Sequence, residues 1–482
     1  MLFNSVEYLI FLPIVFALYW FVFSKNLRWQ NVLLLSASYF FYGWWSWKFM
    51  GLLALSTFLD YVYGFSVASP NRRKAKLFLW LSVANNLGLL AVFKYYNFFA
   101  IELTTLFESI GWHVSPVLLQ VALPVGISFY TFHGMSYVFD IYKKRQKPVS
   151  NFIDYAVFVA FFPLLVAGPI ERANHLLPQV QRPRTFRYVQ AVQGCRLILW
   201  GLFKKVCIAD TLAVSVDNAF ENYGSYNGIT LVAAMACFAF QIYCDFGGYS
   251  DIALGTAKLF GFELLSNFRF PYFSRDIAEF WRRWHMSLSS WFRDYLYFPM
   301  GGSREGKVKA VFNTFVIFIV SGFWHGASWN FIVWGLLHAL GFIPLLLANR
   351  NRTHTGEVVA GNAKVPSLKE LIQMSSTFAF VTFAWIFFRA KSLEGAGDYI
   401  YRTASTILDP MPSGSFIDGR FAKAFIFIIP LLVLDWYLRR DERRLRMPSN
   451  RAVRYMIYWT LMILIFLRMN ASQSDSFIYF QF

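Results

Sequence analysis

Of the 482 residues 57% are hydrophobic and 20% aromatic, while only 15% carry charge; a soluble globular chain holds about 25% charged residues. Apolar runs extend almost from end to end, which excludes a row of soluble domains and points to one all-α, polytopic membrane domain over 1–482. The net charge of +18 sits in short basic clusters between apolar runs, the pattern that marks cytoplasmic loops facing anionic lipid, so membrane lipids and not nucleic acid are the expected partner.

Residues 1–8 hold no Lys or Arg, so they lack the charged start of a cleavable signal peptide, and 9–23 read as part of a permanent first helix. A spanning helix needs roughly 20 apolar residues. Candidate spans are 7–24, 30–47, 50–67, 77–98, 117–138, 191–213, 229–245, 309–326, 330–348, 371–389, 421–438 and 453–469, an expectation of about 11–12 crossings. With the N-terminus outside, the clusters around Lys25, Arg72 and Lys144 fall inside in turn. The apolar segment 152–170 breaks the alternation, because basic clusters flank it on both sides. Pro163, Gly168 and Pro169 interrupt any regular helix there, so it reads as a re-entrant or interfacial element. The count then puts Arg350 and Arg443 inside and the C-terminus outside.

Cys195, Cys207, Cys237 and Cys244 lie in apolar or segment-edge sequence without a CxxC pair. Buried free thiols are expected, and no metal site. The stretch 246–308 collects charge among aromatics. From Ile277, the residues Phe280, Trp281 and Trp284 recur at helical spacing, with Arg282 and Arg283 opposite and Asp276 as N-cap. This predicts an amphipathic helix at the cytoplasmic interface. The tract 351–369 reads as a surface loop.

His325 stands at the end of an uncharged apolar run, between Gly322 and Gly326. An ionisable group at membrane depth is a functional candidate by default, and a neutral imidazole can take a proton from a hydroxyl. The glycines leave room for a substrate or a second backbone. A helix-terminal histidine bonded to a carbonyl explains the residue equally well. His285 lies forty residues earlier on the amphipathic segment and could meet it only if that segment folds over a cavity. Arg282 and Arg283, with Arg293, could hold the phosphates of a coenzyme A donor or serve as interfacial anchors. His133 and His338 fit helix-packing hydrogen bonds, and His113, His175 and His354 sit in polar contexts. No serine elbow, phosphate loop or HExxH is present.

Several ordered blocks carry a resemblance: Tyr39-Phe-Phe-Tyr-Gly-Trp, Pro124-Val-Gly-Ile-Ser-Phe-Tyr, Ala167-Gly-Pro-Ile, Asp245-Phe-Gly-Gly-Tyr-Ser-Asp251, Asn267-Phe-Arg-Phe-Pro-Tyr, Phe280-Trp-Arg-Arg-Trp-His285, Gly322-Phe-Trp-His325-Gly and Phe477-Ile-Tyr-Phe-Gln-Phe. The chain resembles the membrane-bound O-acyltransferase (MBOAT) superfamily, in the bacterial branch that modifies alginate, cellulose and peptidoglycan. That resemblance implies a ring of tilted helices around a central tunnel. It also implies His325 as catalytic and His285 as its supporting position. Acetyl-CoA or another acyl thioester would be the donor, with no permanently bound cofactor. An extracytoplasmic glycan would be the acceptor, reached through a periplasmic esterase-like partner, and the bacterial inner membrane the location. A transporter or flippase, and a silent scaffold for polysaccharide export, are the competing readings. A carrier should show paired repeats, and none is visible; an intact His325 speaks against the scaffold.

Overall fold

The computed structural model describes residues 1–482 except 167, 362, 411–419, 442–444, 470–476 and 479–482. Arg443, Arg444, Ala167 and the last four residues of the C-terminal block therefore lie outside the described residues. Among the described residues all regular structure is helical, and seven helices are long and apolar enough to cross a membrane. The chain is a multi-pass membrane protein. It divides into two compact units, Met1–Cys195 with Ala253–Leu265, and Arg196–Ile252 with Ser266–Phe482.

The first unit begins with α1 (Val6–Ala17), α2 (Leu27–Gly43), α3 (Trp47–Val67) and α4 (Arg72–Leu90), which runs on into α5 (Tyr96–Ser109). Ser5, Asn26, Ser46 and Asn71 each accept a first-turn backbone N–H, fixing where these helices start. The expected span 117–138 does not form as one helix. Gly126 in the left-handed region starts α6 (Ile127–Tyr142) only after Pro124, and a side chain at Gly126 would strike the Leu165 carbonyl. The segment 152–170 is broken as expected, into α7 (Phe152–Ala160) and α8 (Phe162–Leu165), with the residues from Tyr155 to Leu165 buried. Its backbone is thus covered by protein, as non-helical chain at membrane depth requires. Beyond it come α9 (Ala173–Val180) and α10 (Tyr188–Leu202), whose last residues belong to the second unit.

In the second unit α10 passes through a π-helical stretch, Phe203–Ala209, into α11 (Asp210–Glu221). Lys204 and Lys205 sit buried in that stretch. Lys204 pairs with Asp251 at 2.5 Å, and Lys205 with Asp210 at 2.8 Å and Asp245 at 2.6 Å. Asp245 and Asp251 come from α12 (Gly228–Leu259), which continues through 246–259. The interfacial segment expected from 246 therefore starts only after this helix. Gly247 and Gly248 mark close backbone approach instead of a break: a Cβ on Gly248 would lie 2.7 Å from the Gly201 carbonyl.

The expected single amphipathic helix around 277–284 is likewise absent. Helix α13 (Ile277–Trp281) stops after five residues, and α14 (Met286–Phe292) begins after His285, whose backbone is left-handed at φ 43°, ψ 52°. Then follow α15 (Lys307–His325), α16 (Trp329–Leu347), α17 (Leu368–Arg389), α18 (Leu393–Ser405), α19 (Arg420–Leu438) and α20 (Arg451–Met469). Ser367 and Glu370 form a reciprocal capping box at the start of α17. One further expectation changes. Cys195 is exposed, whereas the other three thiols are buried. Separately, Arg439 is buried, stacked on Trp436 and donating to the Val359, Trp436 and Ala363 carbonyls.

Candidate active site

Helices α15 and α16 form an antiparallel pair whose crossing is set by small residues. Gly322 packs on the Phe331 carbonyl and Gly335 on the Phe318 carbonyl, each too close to admit a side chain. Gly326 faces the Phe331 ring in the same way. The space beside the two glycines that flank His325 is thus filled by α16 and not left open for substrate. With the chain turning at Gly326 and restarting at the Ser328 cap, His325 ends α15 and points into the unit. It is 3% exposed.

Aromatic rings surround it. Trp324, Trp334 and Phe388 lie 4.9, 5.1 and 5.4 Å from the His325 ring, all near edge-on. His285 completes the ring set at 6.3 Å between centroids, so two histidines forty positions apart meet in one buried pocket. His285 is itself fully buried, edge-on to Phe246 at 4.7 Å and to Trp324 at 6.0 Å. Burial pushes its imidazole down to about 3, so it is neutral at physiological pH, one nitrogen donating and the other accepting. Both of its nitrogens, and the indole N–H groups of Trp334 and Trp385, are buried and find no hydrogen-bond partner among the described residues. Buried polar groups are nearly always satisfied; four such atoms around one aromatic pocket suit a polar ligand.

Three other histidines each have a packing partner. The Glu171 N–H donates to His133 Nε2 at 3.0 Å, and Trp281 Nε1–H donates to His338 Nδ1 at 3.3 Å. His175 meets Glu171 at 2.6 Å.

The two arginines differ. Arg283 is buried and turns its guanidinium on Glu279, with Nη2–Oε1 at 2.7 Å and Nε–Oε1 at 3.1 Å, and it also donates to the Arg269 and Glu357 carbonyls. Arg275 holds the other side of the same carboxylate. Among the described residues the Arg282 guanidinium makes one hydrogen bond, from Nη1 to the Asn351 carbonyl at 2.7 Å, and its Nε and Nη2 are buried with no partner there. Near it a cavity of about 580 Å³ opens, lined by Arg275, Asp276, Arg350, His354, Lys369 and Glu370 among others. This cavity sits at the far ends of α16 and α17 from the histidines. Eleven residues of α16 separate Trp334 from Leu345 in its lining, about 16 Å at 1.5 Å per residue.

The profile of the membrane-bound O-acyltransferase family matches residues 40–358, which takes in both histidines. The chain belongs to the membrane-bound O-acyltransferase family. Over the whole of both chains this O-acyltransferase is 35% identical to the probable alginate O-acetylase of Pseudomonas putida. It is 39% identical to that of Pseudomonas aeruginosa, over 82% of this chain and 73% of the relative. With the peptidoglycan O-acetyltransferase of Helicobacter pylori it shares 35% identity, over 82% of this chain and 78% of the relative. Membership settles the choice between enzyme and carrier in favour of the enzyme.

Sequence reasoning did not single out Trp334 and Phe388 of this O-acyltransferase, which wall His325, or Trp385, which packs behind both. Lipid contact accounts for aromatic residues in general, which hid them. Their spacing carried a signal, since Trp385 and Phe388 fall at i, i+3 and Phe331, Trp334 and His338 at i, i+3, i+7, one face on each helix.

Proposed function

We propose that this enzyme carries acetyl from cytoplasmic acetyl-CoA to hydroxyls of an extracytoplasmic polysaccharide, from the bacterial inner membrane. The observation that carries the reading is the meeting of His325 and His285 in one buried aromatic pocket that holds unsatisfied polar atoms. His325 serves as the general base. The acceptor oxygen attacks the thioester carbonyl while His325 takes its proton; the carbon–sulfur bond breaks and the proton passes to the departing thiolate. Neutral His285 sits where its N–H can stabilise the charge developing on the carbonyl oxygen.

Three observations support the rest. Arg275, Arg350 and Lys369 line a cavity beside the Asn351 carbonyl that Arg282 grips, a cationic setting that fits donor phosphates. Arg283, engaged with Glu279, holds the wall in place and reaches the donor through it. The distance along α16 from that cavity to Trp334 suits the pantetheine arm. The glycan acceptor follows the full-length likeness to O-acetylases of alginate and peptidoglycan, and delivery runs through a periplasmic esterase-like partner.

The test is His325→Ala, compared with wild type at equal membrane levels for ester-linked acetyl released from isolated glycan. Losing a general base lowers the rate by about 10²–10⁴, so acetyl should fall to background. Near-normal acetylation would overturn the assignment.

A further inference from the structure

Three sequence blocks, 245–251, 267–272 and 280–288, enter the chemistry above only through His285, Arg282 and Arg283. In the second unit they meet around that residue. The Met286 N–H donates to the Asn267 carbonyl at 2.9 Å and the Arg269 N–H to the Arg283 carbonyl at 2.9 Å, so an antiparallel pair of backbone bonds brackets Trp284 and His285. The Asn267 side chain extends the grip in both directions. Its Oδ1 accepts from Ser287 Oγ at 2.6 Å, and its Nδ2 donates to Ser250 Oγ on α12 at 3.0 Å. Asn267, Ser287 and Ser250 are all at least 97% buried.

The turn they hold is one that a histidine does not adopt by itself. Left-handed backbone is strained for a residue with a Cβ, and such conformations persist where the surroundings over-determine them. Released, residues 282–286 would continue α13 into α14 as one helix, the arrangement their periodicity favours. The imidazole would then rotate off Phe246 and away from His325.

We propose that Asn267, tied to Ser250 and Ser287, is the positioning residue that locks His285 in its left-handed turn with the imidazole facing His325. The proposal rests on the catalytic reading of the two histidines. The three blocks then serve a single end, in which α12 supplies the anchor, Asn267 the link, and the segment before α14 the histidine. Asn267 touches no reacting atom, so it acts on the orientation of His285 and not on donor binding.

The experiment uses the full-length enzyme in nanodiscs with acetyl-CoA as the titrated probe. Wild-type turnover that disappears in His325→Ala verifies the underlying reading; persistence of turnover there overturns that reading and the proposal with it. Given its loss, Asn267→Ala should lower kcat on the order of 10²-fold, the effect of about 1 Å of misplacement, with KM for acetyl-CoA within about twofold. Wild-type kcat, or a raised KM with kcat retained, sinks the positioning role alone. Should Asn267→Ala fail to accumulate, Ser250→Ala removes only the outer bond. It should cost about fivefold in kcat, the weight of one hydrogen bond, again at constant KM; unchanged kcat overturns the proposal.

Discussion

Gly322→Ala probes how finely the α15–α16 crossing sets His325. A Cβ at this position falls on the Phe331 carbonyl, 3.0 Å from its carbon and nearer still to its oxygen, with the Gly335 nitrogen at 3.4 Å, where ordinary contact spans 3.4–4 Å. The obstruction is backbone on both sides, so no side chain can swing away. The helices must part on the order of 1 Å, and overpacking of this kind costs about 1–3 kcal/mol. His325 lies three residues on, on the same turn of α15. A displacement of 1 Å at a catalytic group lowers the rate about 10²-fold. Glycan acetyl content at equal membrane levels and thermal unfolding of the purified protein are the two readouts. Gly88→Ala is the control, because a Cβ there meets nothing within 4 Å; it should leave acetylation intact and stabilise by about 0.4–1 kcal/mol. If Gly322→Ala acetylates like wild type, the claim that backbone contact fixes His325 is wrong.

Arg282→Ala should raise KM for acetyl-CoA with little change in kcat, whereas Arg283→Ala should lower the unfolding temperature, because it strips a partner from fully buried Glu279; equal KM effects in a donor titration would refute the distinction. Lys205→Met leaves Asp210 and Asp245 facing each other without the ammonium between them, so it should destabilise by about 3–5 kcal/mol, read as membrane level and thermal midpoint. Wild-type values in both would show that the pairs carry no weight.

Helices α15, α16 and α17 were legible within a few residues, because uncharged apolar runs end or begin at Gly326, Ser328 and Ser367, residues that cap or break helices. His325 was legible for the same reason, as an ionisable residue in such a run. The path around His285 was not. Ile277, Phe280, Trp281 and Trp284 do keep a helical period, yet the helix ends at Trp281 because hydrogen bonds from 267–269 outcompete it, and a contact made in three dimensions leaves no periodic trace. The arginines misled similarly. Glu279 and Arg283 stand at i, i+4 with the acid first, the favourable order for an ion pair, and that spacing already foretold an internal partner for Arg283. The end of α12 was set too early, at 245, because the charged residues from Asp245 onward read as the start of a surface segment, whereas buried lysines pair with Asp245 and Asp251 inside the helix bundle.

The two lysines in the π-helical stretch favour an order of assembly. A lysine at the centre of a membrane helix costs about 2.5–3.5 kcal/mol to insert, so two lysines without their carboxylates weigh against entry of this segment into lipid by itself. Asp210 is synthesised just after them, but Asp245 and Asp251 follow only after about 40 and 47 residues, a wait of about 2–10 s at 5–20 residues per second. During that interval Lys204 lacks the carboxylate it holds in the folded protein and Lys205 has Asp210 alone, so burial of the segment is favoured once α12 supplies Asp245 and Asp251. A chain truncated before Asp245 would leave the lysines with Asp210 alone.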